Sequence, residues 1–169
     1  DRASEINLNP ENKRGYSHRH LSILDINAIS TNGRKYNIQI QITDKTYFNQ
    51  RAILYYWSKL YTSQLSAGDL FSDLKKTISI NILNFDYFAD EPDYHNVFKL
   101  LNVKSHQSYF EDMELHFIEL NKFGTDLDHI KTALDRWITF LKKVHHYEKN
   151  TLPQELKRDP AIVKAFETL

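Results

Sequence analysis

Cysteine is absent from the 169 residues, and glycine and proline occur only four times each. Without cysteine there is no disulfide framework and no thiolate metal site, and the composition fits a reducing compartment. So few glycines and prolines leave little room for linkers. Net charge is lacking as well: 22 Lys and Arg balance 22 Asp and Glu, and the pI is near 7.3. The chain therefore carries no global electrostatic footprint for nucleic acid, and any such binding must come from a local patch. No apolar run reaches the roughly 20 residues of a membrane-spanning helix, and no signal peptide is visible. The chain opens on Asp1 rather than Met and reads as a piece whose natural start is missing.

What is present suits one globular domain with a real core: 41% of residues are hydrophobic and 13% aromatic. "ASEINLNP" reads as a short strand stopped by Pro10, and "ENKRGYSHRH" as a polar, basic loop. "LSILDINAIS", the turn signal "TNGR" and "YNIQIQIT" read together as a β-hairpin. Residues 44–66 carry helical periodicity, with Asp44 as candidate N-cap, a stripe through Phe48, Ala52, Tyr55, Lys59 and Thr62 with Ile53, Trp57, Leu60 and Leu65 nearby, and Gly68 as the stop. Thr77 to Leu83 reads as a nearly continuous apolar strand, buried on both faces. "YHNVFKLLNV" and "MELHFIEL" read as two further strands. A second helix is predicted from Thr125 to about His146, with Leu127, Ile130, Leu134, Trp137, Leu141 and Val144 on one face and Trp137 in the core. Pro153 breaks it, and residues 159–169 read as helical. The order strand, hairpin, helix, strand, hairpin, helix predicts an α/β mixed sheet with helices packed on it.

Turn length sets which residues of the hairpin face each other. A two-residue Asn32-Gly33 loop would place Asp25 opposite Ile40, on the apolar face. A three-residue loop, Thr31-Asn32-Gly33, puts glycine at the left-handed position and pairs Ser30 with Arg34, Asp25 with Gln39 and Ile26 with Ile38. Leu24, Ile26, Ala28, Tyr36, Ile38 and Ile40 then share one face, and Ile23, Asp25, Asn27, Asn37, Gln39 and Gln41 the other. Slipping by one residue would bury the polar set, so the three-residue loop is preferred.

An acid on one strand facing an x-Q-x-Q pair on the next has the geometry of a two-strand metal site. Two carboxylates can hold Mg²⁺, which takes oxygen ligands and keeps several waters. A bound divalent ion polarises a phosphate and lowers the pKa of water. The pattern such chemistry needs is Asp, then Glu-x-Lys or Glu-x-Gln on the neighbouring strand. Here Gln39 stands first in that pair.

The segments "LSILDINA", "YNIQIQIT", "QRAILYYWSKLY", "LKKTISINILNFDYF", "YHNVFKL" and "MELHFIELNKF" resemble the transposase-like branch of the PD-(D/E)XK nucleases, which includes the Rpn-type recombination-promoting nucleases of bacteria. The resemblance spans about Ile6 to His145. It implies a restriction-endonuclease-like mixed β-sheet flanked by α-helices, over residues 1–150, with 151–169 as a helical extension and the family's N-terminal helix missing. It also implies a DNA endonuclease of the bacterial cytoplasm, DNA as partner, no membrane, and Mg²⁺ as cofactor with Mn²⁺ as substitute. A homodimer is one assembly compatible with it.

On this resemblance Asp25 matches the family's metal-binding Asp, and Gln41 matches the closing Gln of its Glu-x-Gln motif. Gln39 stands where the family has its catalytic Glu. Asp25, Gln39 and the backbone carbonyl of Ile40 would hold the metal, and Gln41 would place the attacking water. Gln39 is isosteric with Glu but neutral, and an opposite-charge contact near 4 Å contributes roughly 4 kcal/mol at an effective dielectric of about 20. The chain as written is thus an inactive or weakened nuclease. An introduced substitution and natural decay both fit; the intact remainder of the motif favours the first. The alternative is a non-catalytic DNA-binding or protein-interaction module on the same scaffold.

Candidate DNA contacts are Arg14 and Arg19, in the basic loop Lys13 to His20, and Arg51 and Tyr55, one helical turn apart after the motif strand. A surface Arg over a core Tyr is an equal reading of that last pair. Lys75-Lys76 and Lys142-Lys143 read as solvated termini. The eight histidines are assigned structural or solvent roles: His145 and His146 point apart on a helix, and His95 and His116 are too distant in sequence to claim as a site.

Overall fold

The computed structural model describes residues 3–8, 23–41, 50–124, 130–147 and 151–167. The reading of Asp44 as N-cap, of Phe48 in the helical stripe and of the basic loop around Arg14 and Arg19 falls outside these residues.

The three-residue loop forms as the turn chemistry dictates. The Ser30 N–H donates to the Arg34 carbonyl at 3.0 Å, and the Gly33 N–H donates to the Ser30 carbonyl at 2.9 Å. Gly33 has φ of 81°, the left-handed region that strains any residue with a Cβ. Strands β2 (Ile23–Ser30) and β3 (Lys35–Gln41) consequently pair with Asp25 opposite Gln39, Ile26 opposite Ile38 and Ala28 opposite Tyr36.

Strand β1 (Ala3–Leu8) adds antiparallel to β2. Helix α1 (Gln50–Thr62) carries the chain from β3 to β4 (Thr77–Leu83), which is parallel to β3, as a crossover requires. Strand β5 (His95–Leu100) pairs antiparallel with β6 (Phe110–Glu119), and β6 lies parallel to β4. The result is a six-stranded mixed sheet in the order β1-β2-β3-β4-β6-β5.

Helix α1 is shorter than its periodicity suggests and ends at Thr62, six residues before Gly68. Its buried stripe also differs: Tyr55, Lys59 and Thr62 face solvent, while Ile53 and Trp57 turn inward. Ile53 packs with Leu83, Leu115 and Phe117, and Trp57, Phe88 and Met113 extend that cluster. Burying Ile53 alone contributes about 2 kcal/mol. The Trp57 indole N–H donates to the Thr77 carbonyl at 2.8 Å, which ties the helix to the strand it precedes.

One expectation about burial is overturned. In β3 and β4 the polar face is the more deeply buried: Asn37, Ser79 and Asn81 are 2%, 0% and 1% exposed, while Ile38, Ile40, Ile80 and Ile82 are only half-buried. Helix α1 covers that face through Ile53, and the amide NH₂ groups of Asn37 and Asn81 bond to Asn27, Ser79 and the His116 carbonyl.

Residues 1–119 and 120–169 form two compact units. In the second, α2 (Ala133–Lys143) starts well after Thr125. Thr132 is the N-cap: its hydroxyl accepts from the Asp135 N–H at 3.1 Å while the Asp135 carboxylate accepts from the Thr132 N–H at 2.7 Å. This capping box fixes the start and keeps residues 130–132 out of the helix. After α2, residues 144–146 form a 3-10 turn, which brings the His145 and His146 rings together, centroids 3.9 Å apart and planes tilted by 42°, rather than pointing them apart. Short α3 (Gln154–Lys157) and α4 (Pro160–Glu167) follow Pro153. Phe140, Leu152, Leu156 and Ile162 are the buried centre of this unit, with Trp137 half-buried against it.

Candidate functional site

Residues paired across a strand pair share a face. Asp25 pairs with Gln39, and Gln39 lies in parallel register with Asn81, so β2, β3 and β4 contribute one row: Asp25, Gln39, Asn81. Towards the Gly33 loop the next row is Asn27, Asn37, Ser79. In the other direction it is Ile23, Gln41, Leu83 and, on β6, Glu119. The hairpin thus brings the three sequence-predicted catalytic positions, Asp25, Gln39 and Gln41, onto one face by their backbone register, with Ile40 between the two glutamines.

The described side chains around that row are closely bonded. The Asn37 amide donates to Asn27 Oδ1 at 3.1 Å, an amide pair across β2 and β3. The Asn81 amide donates to the His116 carbonyl at 3.1 Å and to Ser79 Oγ at 3.3 Å. Asn81 Oδ1 is buried and has no hydrogen-bond partner among the described residues. Buried Glu119 accepts from the backbone N–H groups of Tyr87 and, at 3.0 Å, Phe88, and from the Asn96 amide at 3.5 Å.

Arg51 and Tyr55 are both exposed on α1. Tyr55 is 58% exposed, with its ring edge-on to Tyr56 at 5.4 Å, so it is no core residue. Beside α1, a cavity of about 200 Å³ is lined by Ile53, Leu54, Phe88, Phe98 and Phe117 among others. Its apolar walls offer little to a reacting phosphate.

The opposite face of the sheet holds a cluster that sequence reasoning passed over. His95 Nε2 lies 2.9 Å from His116 Nδ1, and His116 Nε2 lies 2.7 Å from Glu114 Oε1. Glu114 also meets Lys76 at 2.6 Å and Lys99 at 3.4 Å. Burial pushes the Glu114 carboxyl up, but the Lys76 and His116 hydrogen bonds and charges outweigh it and hold it at about 2. Burial, then the neighbouring His116, lowers His95. Lys76 is therefore half of an ion pair rather than a solvated terminus. Lys142 is likewise engaged, donating to the carbonyls of Leu120 at 2.6 Å and Phe123 at 2.9 Å. The signal for the histidine pair lay in strand pairing: β5 and β6 are antiparallel neighbours, so residues 21 apart in sequence meet.

Asn81 was missed for a different reason. Reading β4 as a continuous apolar run hid the alternation Thr77, Ser79, Asn81, which marks one face of that strand as polar.

A mixed sheet built from a hairpin, a crossover helix and a parallel strand is the restriction-endonuclease-like α/β arrangement. The chain belongs to the PD-(D/E)XK nuclease family transposases, whose sequence model matches residues 3–169. No curated protein and no solved structure matches the chain significantly. No helix among the described residues is long and apolar enough to cross a membrane.

Proposed function

We propose that this nuclease-like domain is a metal-dependent DNA endonuclease weakened by Gln39. The single observation that carries the reading is the register that sets Asp25 opposite Gln39 with Gln41 two residues on. Among the described residues no group of three or more His, Asp or Glu is arranged to hold a metal. The donors at the row are the Asp25 carboxylate, the Gln39 amide oxygen and the Ile40 carbonyl. These are hard oxygens of the type Mg²⁺ or Mn²⁺ accepts, though with one charge where two are usual. A bound divalent ion would polarise the scissile phosphate. In this reading Asp25 supplies the negative charge that retains it, Gln39 a neutral oxygen, and Gln41 the amide that orients an attacking water. Arg51 and Tyr55, exposed on α1, and Arg14 and Arg19 are the proposed contacts to DNA phosphates and bases.

The test compares this protein with its Gln39→Glu and Asp25→Ala variants on supercoiled plasmid with Mg²⁺ or Mn²⁺. Restoring the charge should raise nicking on the order of 10²-fold or more, since roughly 4 kcal/mol of charge interaction is at stake. A Gln39→Glu protein that cuts no faster than Asp25→Ala sinks the reading.

The neutral Gln39 favours a second reading, a module that holds DNA without cutting it. Gel retardation that survives Asp25→Ala but not Arg51→Ala would support that module over the nuclease.

A further inference from the structure

We propose that the free edge of β5 takes up an extended peptide of a partner protein as a further strand. A large apolar side chain of that peptide fills the cavity beside Phe98, and its acidic side chains face Lys99 and His95. Strands β4 and β6 separate this edge from β3, and the docking is independent of the nuclease reading.

The backbone of the edge specifies a strand as occupant. β5 ends the sheet, and among the described residues no strand pairs with its outer side. Its register with β6 extends to Tyr94 and Glu119, where the Glu119 N–H donates to the Tyr94 carbonyl at 2.8 Å. Hydrogen-bonded and non-hydrogen-bonded pairs alternate along an antiparallel ladder. Asn96 and Phe98 therefore direct their backbone groups at β6, while His95, Val97 and Lys99 direct theirs outward. A donor and an acceptor at every second residue match another strand, not a helix or a nucleic acid. The edge is also little blunted: β5 holds no proline and one lysine, and its bulge comes only at Lys99–Leu100. Val97, at its middle, is 45% exposed.

The two faces of β5 specify what that strand carries. On the α1 face, Phe98 and Leu54 are the exposed lining residues of the apolar cavity of about 200 Å³, with Phe88 and Phe117 deeper in it. An apolar cavity of about 150 Å³ already accepts a benzene ring. A residue opposite Phe98 would occupy a non-hydrogen-bonded position, where Cα atoms stand only about 4.5 Å apart. On the other face Glu114 lies 2.6 Å from Lys76 and 3.4 Å from Lys99, so one carboxylate answers two ammonium groups. An acid opposite Lys99 complements that excess positive charge. An antiparallel strand reading Glu-Phe-Val-Thr-Glu puts its acids opposite Lys99 and His95 and its Phe opposite Phe98. A second copy of β5 fits less well. Two-fold pairing about Val97 sets Lys99 against His95, and pairing about Phe98 sets it against Val97, with no acid in either register.

The test is NMR titration of the whole chain with the acetylated, amidated peptide Thr-Glu-Phe-Val-Thr-Glu-Thr. Binding is expected with Kd below about 1 mM. In the complex the Val97 N–H should exchange at least about tenfold more slowly. A peptide with Ala in place of Phe should bind at least about tenfold more weakly, and one with Lys in place of both Glu at least about threefold more weakly. Val97→Pro removes an outward N–H and leaves the β6 ladder intact, so it should abolish binding, whereas Val97→Thr should retain it. No binding at about 1 mM, unchanged binding of the Ala or Lys peptide, or unchanged binding to Val97→Pro overturns the proposal. Should Val97→Pro fail to fold, N-methylation of the peptide decides. Methylating its Val, whose N–H faces β5, should abolish binding; methylating the Thr that follows, whose N–H faces away, should not. Equal effects overturn the proposal. A dimer of the protein alone that Val97→Pro splits would assign the edge to a second copy and overturn it as well.

Discussion

On one face of the central strands Asn27, Asn37, Ser79 and Asn81 are neutral, and the last three are buried. On the other face Lys76, Lys99, Glu114, His116 and His95 are ionisable, and none is fully buried. Both sets are bonded networks with separations near 3 Å, but they satisfy different constraints. Neutral amides can be buried because their desolvation costs far less than that of an ion. The charged cluster keeps contact with water because complete desolvation of its ions would cost more than their attraction returns. Polar burial in this sheet is thus governed by charge rather than by polarity alone. Glu119 is the exception that defines the rule: an acidic side chain on the buried face, held by two backbone N–H groups and Asn96.

That exception offers the most severe way to break the comparison. Glu119→Ala removes the acceptor for the Tyr87 and Phe88 N–H groups and should destabilise the protein by about 3 kcal/mol in urea unfolding. A loss under about 1 kcal/mol would show that the 84–88 segment finds other partners. Glu114→Gln on the opposite face should cost less, about 1 kcal/mol at neutral pH, because its partners remain partly in water. Its pH signature is specific. The folded carboxyl sits at about 2, below its ordinary 4.5, so its contribution is present above about 4.5 and is lost as pH falls from there towards 2. Stability curves of the parent and Glu114→Gln proteins should therefore converge across that window; parallel curves would contradict the ion pair. Lys99→Ala is the mildest change, a few tenths of a kcal/mol in low salt, vanishing near 0.5 M salt as screening removes the interaction.

Much of this was legible in the residues. Turn chemistry alone placed Gly33 and so set Asp25 against Gln39. The supporting argument was incomplete, though. It held that a slipped register would bury the polar set, whereas the true register buries Asn37 in any case. The pattern predicted pairing correctly because turn geometry and hydrogen-bonded amides agreed, not because the polar face stays wet. The start of α2 was readable in Thr132-x-x-Asp135, a capping box that helical periodicity upstream obscured. The buried side of α1 turned on which of two interleaved stripes meets Leu83 and Phe117, a tertiary choice that periodicity leaves open. The His95–His116 contact was not legible, since it depends on the register of β5 against β6, which the long connection between them does not set.

The loop from Thr31 to Gly33 also works as a parity check on the whole face. Because successive strand residues alternate sides, only an odd loop seats Asp25 and the two glutamines together. Changing the loop by a single residue would break that shared face, setting Leu24 or Ile26 opposite Gln39 in place of Asp25, without altering any residue of the site. A change of two would restore it. The arithmetic of a surface turn, more than the chemistry of any one side chain, decides whether this sheet has a site at all.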